Sequence, residues 1–166
     1  MRIADFDGQA KRSPVWAGSL RWLAIVVAFL NLGIHVYLAP MHLEEKLYIG
    51  VLFLIGSAAL GVVVVGLATD RDRVRTLAWL LGFAASAVMF IAFVLSRTIG
   101  LPGGYLEPWA ESTEDILGLV SLGLELVFCG CCIASITTDR AVSRMASAPT
   151  LAHRVLPLHD RTAPLA

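Results

Sequence analysis

The chain of 166 residues is 57% hydrophobic and 16% charged, with a mean hydropathy of +0.75 and a formal net charge of zero. A water-soluble domain carries nearer a quarter charged residues, so these values exclude an ordinary soluble enzyme or binding module and place the chain in a lipid bilayer. The basic residues are dispersed, which excludes nucleic acid as a partner.

Four apolar runs each approach the roughly 20 residues needed to cross a hydrocarbon core. They predict an all-α polytopic membrane protein, with four antiparallel transmembrane helices in an up-down bundle over residues 20–39, 47–68, 76–97 and 115–136. Residues 1–18 read as a flexible leader. The first run exceeds an ordinary signal-peptide core, acidic Asp5 and Asp7 precede it, and no small-x-small cleavage site follows, so it reads as a retained helix.

In span one, Asn31 and His35 are four residues apart and share a helix face. Pro40 is expected to end this helix or permit a turn, because proline lacks the N–H that continues the ladder. If the helix ran on past Pro40, His42 and Glu45 would extend the same face. His35, His42 and Glu45 then supply two imidazoles and a carboxylate, donors suited to a transition-metal ion such as zinc, iron or copper. Glu107, Glu111, Glu114 or Asp115 from a later loop could complete such a set. The competing reading is ordinary polar residues at the membrane interface.

Span two carries Ser57 and Gly61, and span three carries Ala78, Gly82 and Ser86 at four-residue spacing. Small stripes of this kind let helix backbones approach closely in lipid, within one chain or between copies in a homo-oligomer. Residues 69–75 form a short charged turn between these spans, and Arg97 and Thr98 end span three.

The loop from Thr98 to Asp115 has turn chemistry of its own. Pro102 and Gly103 suit the central positions of a type II turn, Tyr105 and Trp109 are expected at headgroup depth, and Ser112 with Asp115 three residues on resembles a capping box opening span four. Glu125 lies about nine residues into that span, on the order of 13 Å deep. A carboxyl there is protonated, paired or lining a wet cavity, with Arg97 or His35 as the expected partner, and it serves either as a structural clamp or as a functional group; Arg97 is expected to hold either Glu125 or Glu107. Glu125, Cys129 and Cys132 share a stripe; packing, acylation and metal binding are the alternatives for Cys129, Cys131 and Cys132, and a disulfide is not expected. The tail, residues 138–166, reads as flexible.

Charge orders the spans. Arg2, Lys11, Arg12, Arg21, Arg71, Arg73, Arg75, Arg140, Arg144, Arg154 and Arg161 fall on one side, leaving Lys46 and Arg97 on the other among Glu44, Glu45, Glu107, Glu111, Glu114 and Asp115. The positive-inside rule therefore predicts cytoplasmic termini and outward acidic loops, in the cell (inner) membrane of a bacterium. The excess of arginine over lysine also hints at a GC-rich bacterial genome.

The segment Ser96-Arg97-Thr98-Ile99-Gly100-Leu101-Pro102-Gly103, followed by Glu107-Pro108, by Leu117-Gly118-Leu119 and by Glu125, resembles small uncharacterised four-helix integral membrane proteins of actinobacteria. His42-Leu43-x-Glu45 fits the same group. The resemblance implies a fold and a location without a reaction, and it implies that His35, His42, Glu45, Arg97, Glu107 and Glu125 belong to one outer-leaflet constellation. The function expected is that of a binding or accessory protein, not an enzyme, with an outward polar pocket for a metal ion or small ligand. A small membrane enzyme or redox component using that pocket, or a subunit of an oligomeric transporter, are the alternatives; the bilayer and other membrane proteins are the expected partners.

Overall fold

The structure, a computed structural model, describes residues 15–147, with side chains from 18 to 138. Four helices follow one another: α1 (Val15–Glu45), α2 (Leu47–Ala68), α3 (Asp72–Thr98) and α4 (Thr113–Ser147). All four are long and apolar enough to cross a membrane. The protein is a multi-pass membrane protein built as a four-helix bundle, with α1 packed along α2 and α4, and α3 packed along α2 and α4.

The burial pattern is that of a bundle in lipid. Phe29, Ile55, Val65, Val88 and Ile133 point outward and are more than half exposed, whereas Asn31, Ser57, Ser86, Ser121 and Glu125 are buried between the helices. An apolar solvent leaves polar groups no partner outside the protein, so they turn inward.

The helices outrun the apolar runs that announce them. α1 begins at Val15, inside the expected leader, and α4 continues to Ser147, inside the expected flexible tail. A helix ladder need not stop where the hydrocarbon does, and Ala, Arg and Met between 139 and 147 are good helix formers. The remainder of the leader and of the tail lies outside the described residues.

Pro40 does not end α1. It sits inside the helix on an exposed face, flanked by buried Ala39, Leu38 and His42, which hold the chain against the bundle. Transmembrane helices tolerate such a proline when packing holds the flanking turns. The link to α2 is then a single extended residue, Lys46, whose N–H reaches the His42 carbonyl at 3.0 Å. So sharp a corner presses α2 onto α1: a Cβ at Gly50 would lie 2.6 Å from the Leu43 Cα.

The small stripe on α3 packs as expected, with Ala78, Gly82 and Ser86 all buried. On α2 the close approaches fall elsewhere. Gly61 has open space around it, whereas a Cβ at Gly66 would meet Ala78 Cβ at 2.7 Å and one at Gly56 would meet Met89 Sδ at 3.0 Å. At the arginine-rich end the interior is apolar: Phe128 lies in the notch at Gly82, surrounded by Leu60, Val63, Leu67, Ala24 and Ala28. Cys131 and Cys132 are buried in this layer and all three thiols are free, so they act as small apolar residues here.

Candidate metal-binding pocket

The opposite end of the bundle is built differently. α3 stops because Gly100 takes φ +83° and turns its N–H back to the Leu95 carbonyl at 2.8 Å. Pro102, Gly103 and Gly104 then reverse the chain, with Gly103 at φ +82° as a type II turn requires, and Leu101 and Tyr105 exchange backbone hydrogen bonds of 2.7 and 3.2 Å. Lys46 Nζ and Tyr48 Oη donate to the Gly103 and Pro102 carbonyls of the turn, each at 2.5 Å. The Glu107 N–H returns to the Ser96 carbonyl. The loop is thereby fastened to α2 and α3 by polar contacts.

Ser112 and Asp115 form the capping box at the start of α4. The Asp115 N–H donates to Ser112 Oγ at 3.1 Å, and the Ser112 N–H donates to Asp115 Oδ2 at 3.0 Å. That reciprocity orients Asp115 so that its second oxygen, Oδ1, faces Arg97 Nη2 at 3.4 Å.

Arg97 is buried at this junction. Its Nη1 donates to Glu107 Oε2 at 2.5 Å and to Ser96 Oγ at 3.1 Å, and the guanidinium lies 3.8 Å from the Phe93 ring centre. Of the two carboxylates expected for Arg97, Glu107 is its partner and Glu125 is not. α3 and α4 are antiparallel, so the end of α3 meets the start of α4, and Glu125 lies ten residues below Asp115, about 15 Å at the helical rise.

Tyr105 occupies the centre of the cluster. The reversal at Gly103 folds it inward to 7% exposure, whereas Trp109 stays half-exposed. Its hydroxyl lies 3.0 Å from His42 Nδ1 and 3.1 Å from Glu45 Oε2, and it donates a short hydrogen bond to Glu107 Oε1. Burial, and after it the adjoining Glu107 and Glu45 carboxylates, push the phenol above its ordinary value of 10.0. Tyr105 is therefore a neutral hydrogen-bonding post at physiological pH.

Around this post His42, Glu45 and Glu107 bring one donor atom each to within 4.8 Å of one another, a grouping that could hold a metal ion. One imidazole nitrogen and two carboxylate oxygens suit a borderline divalent cation, with water filling the remaining positions. The charges favour it too. Arg97 ion-pairs with Glu107 and Asp115, and with Glu45 the three carboxylates exceed the single guanidinium by two negative charges.

His35 stands outside that group. It lies seven residues below His42 on α1, and its Nδ1–H donates to the Asn31 carbonyl at 3.1 Å, which leaves Nε2 as the acceptor. His35 and Glu125 nonetheless line the same cavity as His42, Glu45, Arg97 and Glu107, a space of about 340 Å³ that runs from the loop to the middle of the bundle. Its middle walls are apolar, formed by Leu52, Phe53, Met89 and Ala92. None of the fully buried residues around Phe128 lines it; Met89 alone touches both the cavity and that layer, and Glu125 marks the deep end of the cavity.

Tyr105 and Asp115 are the residues of this cluster that sequence reasoning undervalued. The Pro-Gly-Gly reversal was the available signal for the first, and the capping box for the second. No family model, curated protein or solved structure matches the chain.

Proposed function

We propose that the protein is a cation-binding accessory component of a bacterial inner membrane, holding a divalent metal ion at the mouth of its pocket through His42, Glu45 and Glu107. The observation that carries this reading is the convergence of those donors around the Tyr105 hydroxyl. His42 comes from the end of α1 and Glu107 from the loop, so a bound ion would also fasten the loop to the bundle. Among the described residues the cavity lining reaches no deeper than Glu125, which favours holding an ion over passing it through the membrane. The charge asymmetry supports an orientation with Arg21, Arg71, Arg73 and Arg75 on the cytoplasmic side and the pocket outward. The resemblance of the Arg97 to Gly103 and Glu107-Pro108 segments to small actinobacterial membrane proteins agrees with this placement.

Elemental analysis of protein purified in detergent, followed by titration of the chelator-treated protein with zinc and with manganese, tests the proposal. About one ion per chain is expected, lost in His42→Ala and in Glu107→Gln. Failure of both metals to bind at any stoichiometry, or undiminished binding in both variants, overturns it.

A further inference from the structure

The lower half of the cavity has a chemistry distinct from its mouth. Glu125 is 3% exposed, and its Oε2 has no hydrogen-bond partner among the described residues, yet Glu125 lines the cavity. The nearest hydroxyl gives it little: the single proton of Ser121 goes to Asn31 Oδ1 at 2.6 Å, and the distance from Ser121 Oγ to Glu125 Oε1 is 3.5 Å. His35, one turn above Asn31, has committed its Nδ1–H to a backbone carbonyl and shows the cavity an acceptor nitrogen. The Asn31 side chain also hydrogen-bonds Glu125 but does not line the cavity, so the floor shows the cavity two free acceptors, Glu125 Oε2 and His35 Nε2.

Above that floor the walls are largely apolar, with Phe53, Met89 and Phe93 among the lining residues. The volume of about 340 Å³ falls in the range of small-molecule pockets. At the rim, Glu111 and Glu114 join the carboxylates already described, so the entrance attracts cations. A ligand that fits this sequence of surfaces enters as a cation, presents an apolar body to the walls and brings hydrogen-bond donors to the floor.

We propose that the cavity binds a small organic ammonium ion, its N–H groups donating to Glu125 Oε2 and His35 Nε2 and its hydrocarbon portion lying against Phe53 and Met89. An ammonium carries three donors and the charge that a buried carboxylate lacks, whereas a neutral ligand leaves Glu125 uncompensated. A bare metal ion fits the floor poorly, because only two protein donors are available there. The proposal does not depend on the metal reading of the mouth.

The test uses the full chain in lipid nanodiscs and equilibrium dialysis with 2-phenylethylammonium, with 2-phenylethanol as the neutral isostere. The ammonium is expected to bind at least about tenfold more tightly than the alcohol, and Glu125→Gln is expected to erase that preference while leaving metal titration unchanged. His42→Ala should do the reverse. Equal binding of the two probes to the native protein, or a preference that survives Glu125→Gln, overturns the proposal. Should Glu125→Gln fail to fold, Ala92→Leu, which fills the apolar wall without touching a polar group, must abolish ammonium binding; retained binding overturns the proposal equally.

Discussion

Arg97 shows how far single residues could be read in advance. Its cost in an apolar segment marked it as paired, and it is; what the linear sequence could not supply was the depth and azimuth that choose Glu107 and Asp115 over Glu125. Because the pair is buried, removing the cation leaves two carboxylates uncompensated, and Arg97→Ala is expected to cost about 3–5 kcal/mol. Arg97→Lys should recover only part of this, since an ammonium cannot reach Glu107 and Asp115 with separate parallel donors. Thermal unfolding in detergent, compared with native protein, checks both. Tyr105 was misplaced for a different reason: its burial depends on three glycines at positive φ, a backbone route that hydropathy does not record. Its raised phenol gives a signed pH effect. Between the ordinary value of 10.0 and the higher folded value, the native state binds a proton that the unfolded state has released. The stabilisation is therefore complete below that ordinary value and declines as pH rises above it. Melting temperatures measured from roughly pH 8 to roughly pH 11 should fall more steeply for the native protein than for Tyr105→Phe.

Elements were legible where length and capping decide them, and less so where packing does. Ser112 and Asp115 marked the start of α4 correctly because a capping box is a local device within four residues. Pro40 misled, because the cost of a proline is local whereas the burial of Leu38, Ala39 and His42 that overrides it is tertiary. Continuation of α1 through Pro40 is what delivers His42 and Glu45 to the loop, so the element boundary and the candidate site are one problem. α4 makes the complementary contribution at Gly118, where an added Cβ would lie 2.9 Å from Phe93 Cε2 and 3.4 Å from Arg97 Nη2. Gly118→Val should force the Phe93 ring and the guanidinium away from α4, at an overpacking cost of about 1–3 kcal/mol. The displacement should also weaken metal binding, because Glu107 is held by Arg97. A variant that melts like the native protein and binds metal unchanged would show that the helices separate freely at this level. By contrast, Gly123, where an added Cβ would meet no atom within 4 Å, should accept alanine without loss.

At the scale of the whole molecule, polarity is distributed along two axes. Across the bundle, apolar side chains face outward and polar ones inward; along it, an arginine-rich, apolar-cored end opposes an acidic end that contains the pocket. The first axis requires lipid around the four helices, and the second determines how the bundle is inserted. Arg71, Arg73 and Arg75 lie at the α2–α3 connection, while Glu111 and Glu114 lie at the α3–α4 end. Moving the arginine turn through the bilayer would carry three guanidinium groups across hydrocarbon, whereas retention of such groups on the cytoplasmic side is the usual outcome for short loops. Single cysteines at Glu111 and at Arg73, each introduced after replacement of Cys129, Cys131 and Cys132 by alanine, separate the two insertions. Both positions are exposed, so a membrane-impermeant maleimide can reach either one once it is on the same side. In intact cells the residue-111 variant should label and the residue-73 variant should label only after permeabilisation. The opposite pattern would turn the pocket toward the cytoplasm, and His42, Glu45 and Glu107 would then meet the intracellular metal supply instead of the external one.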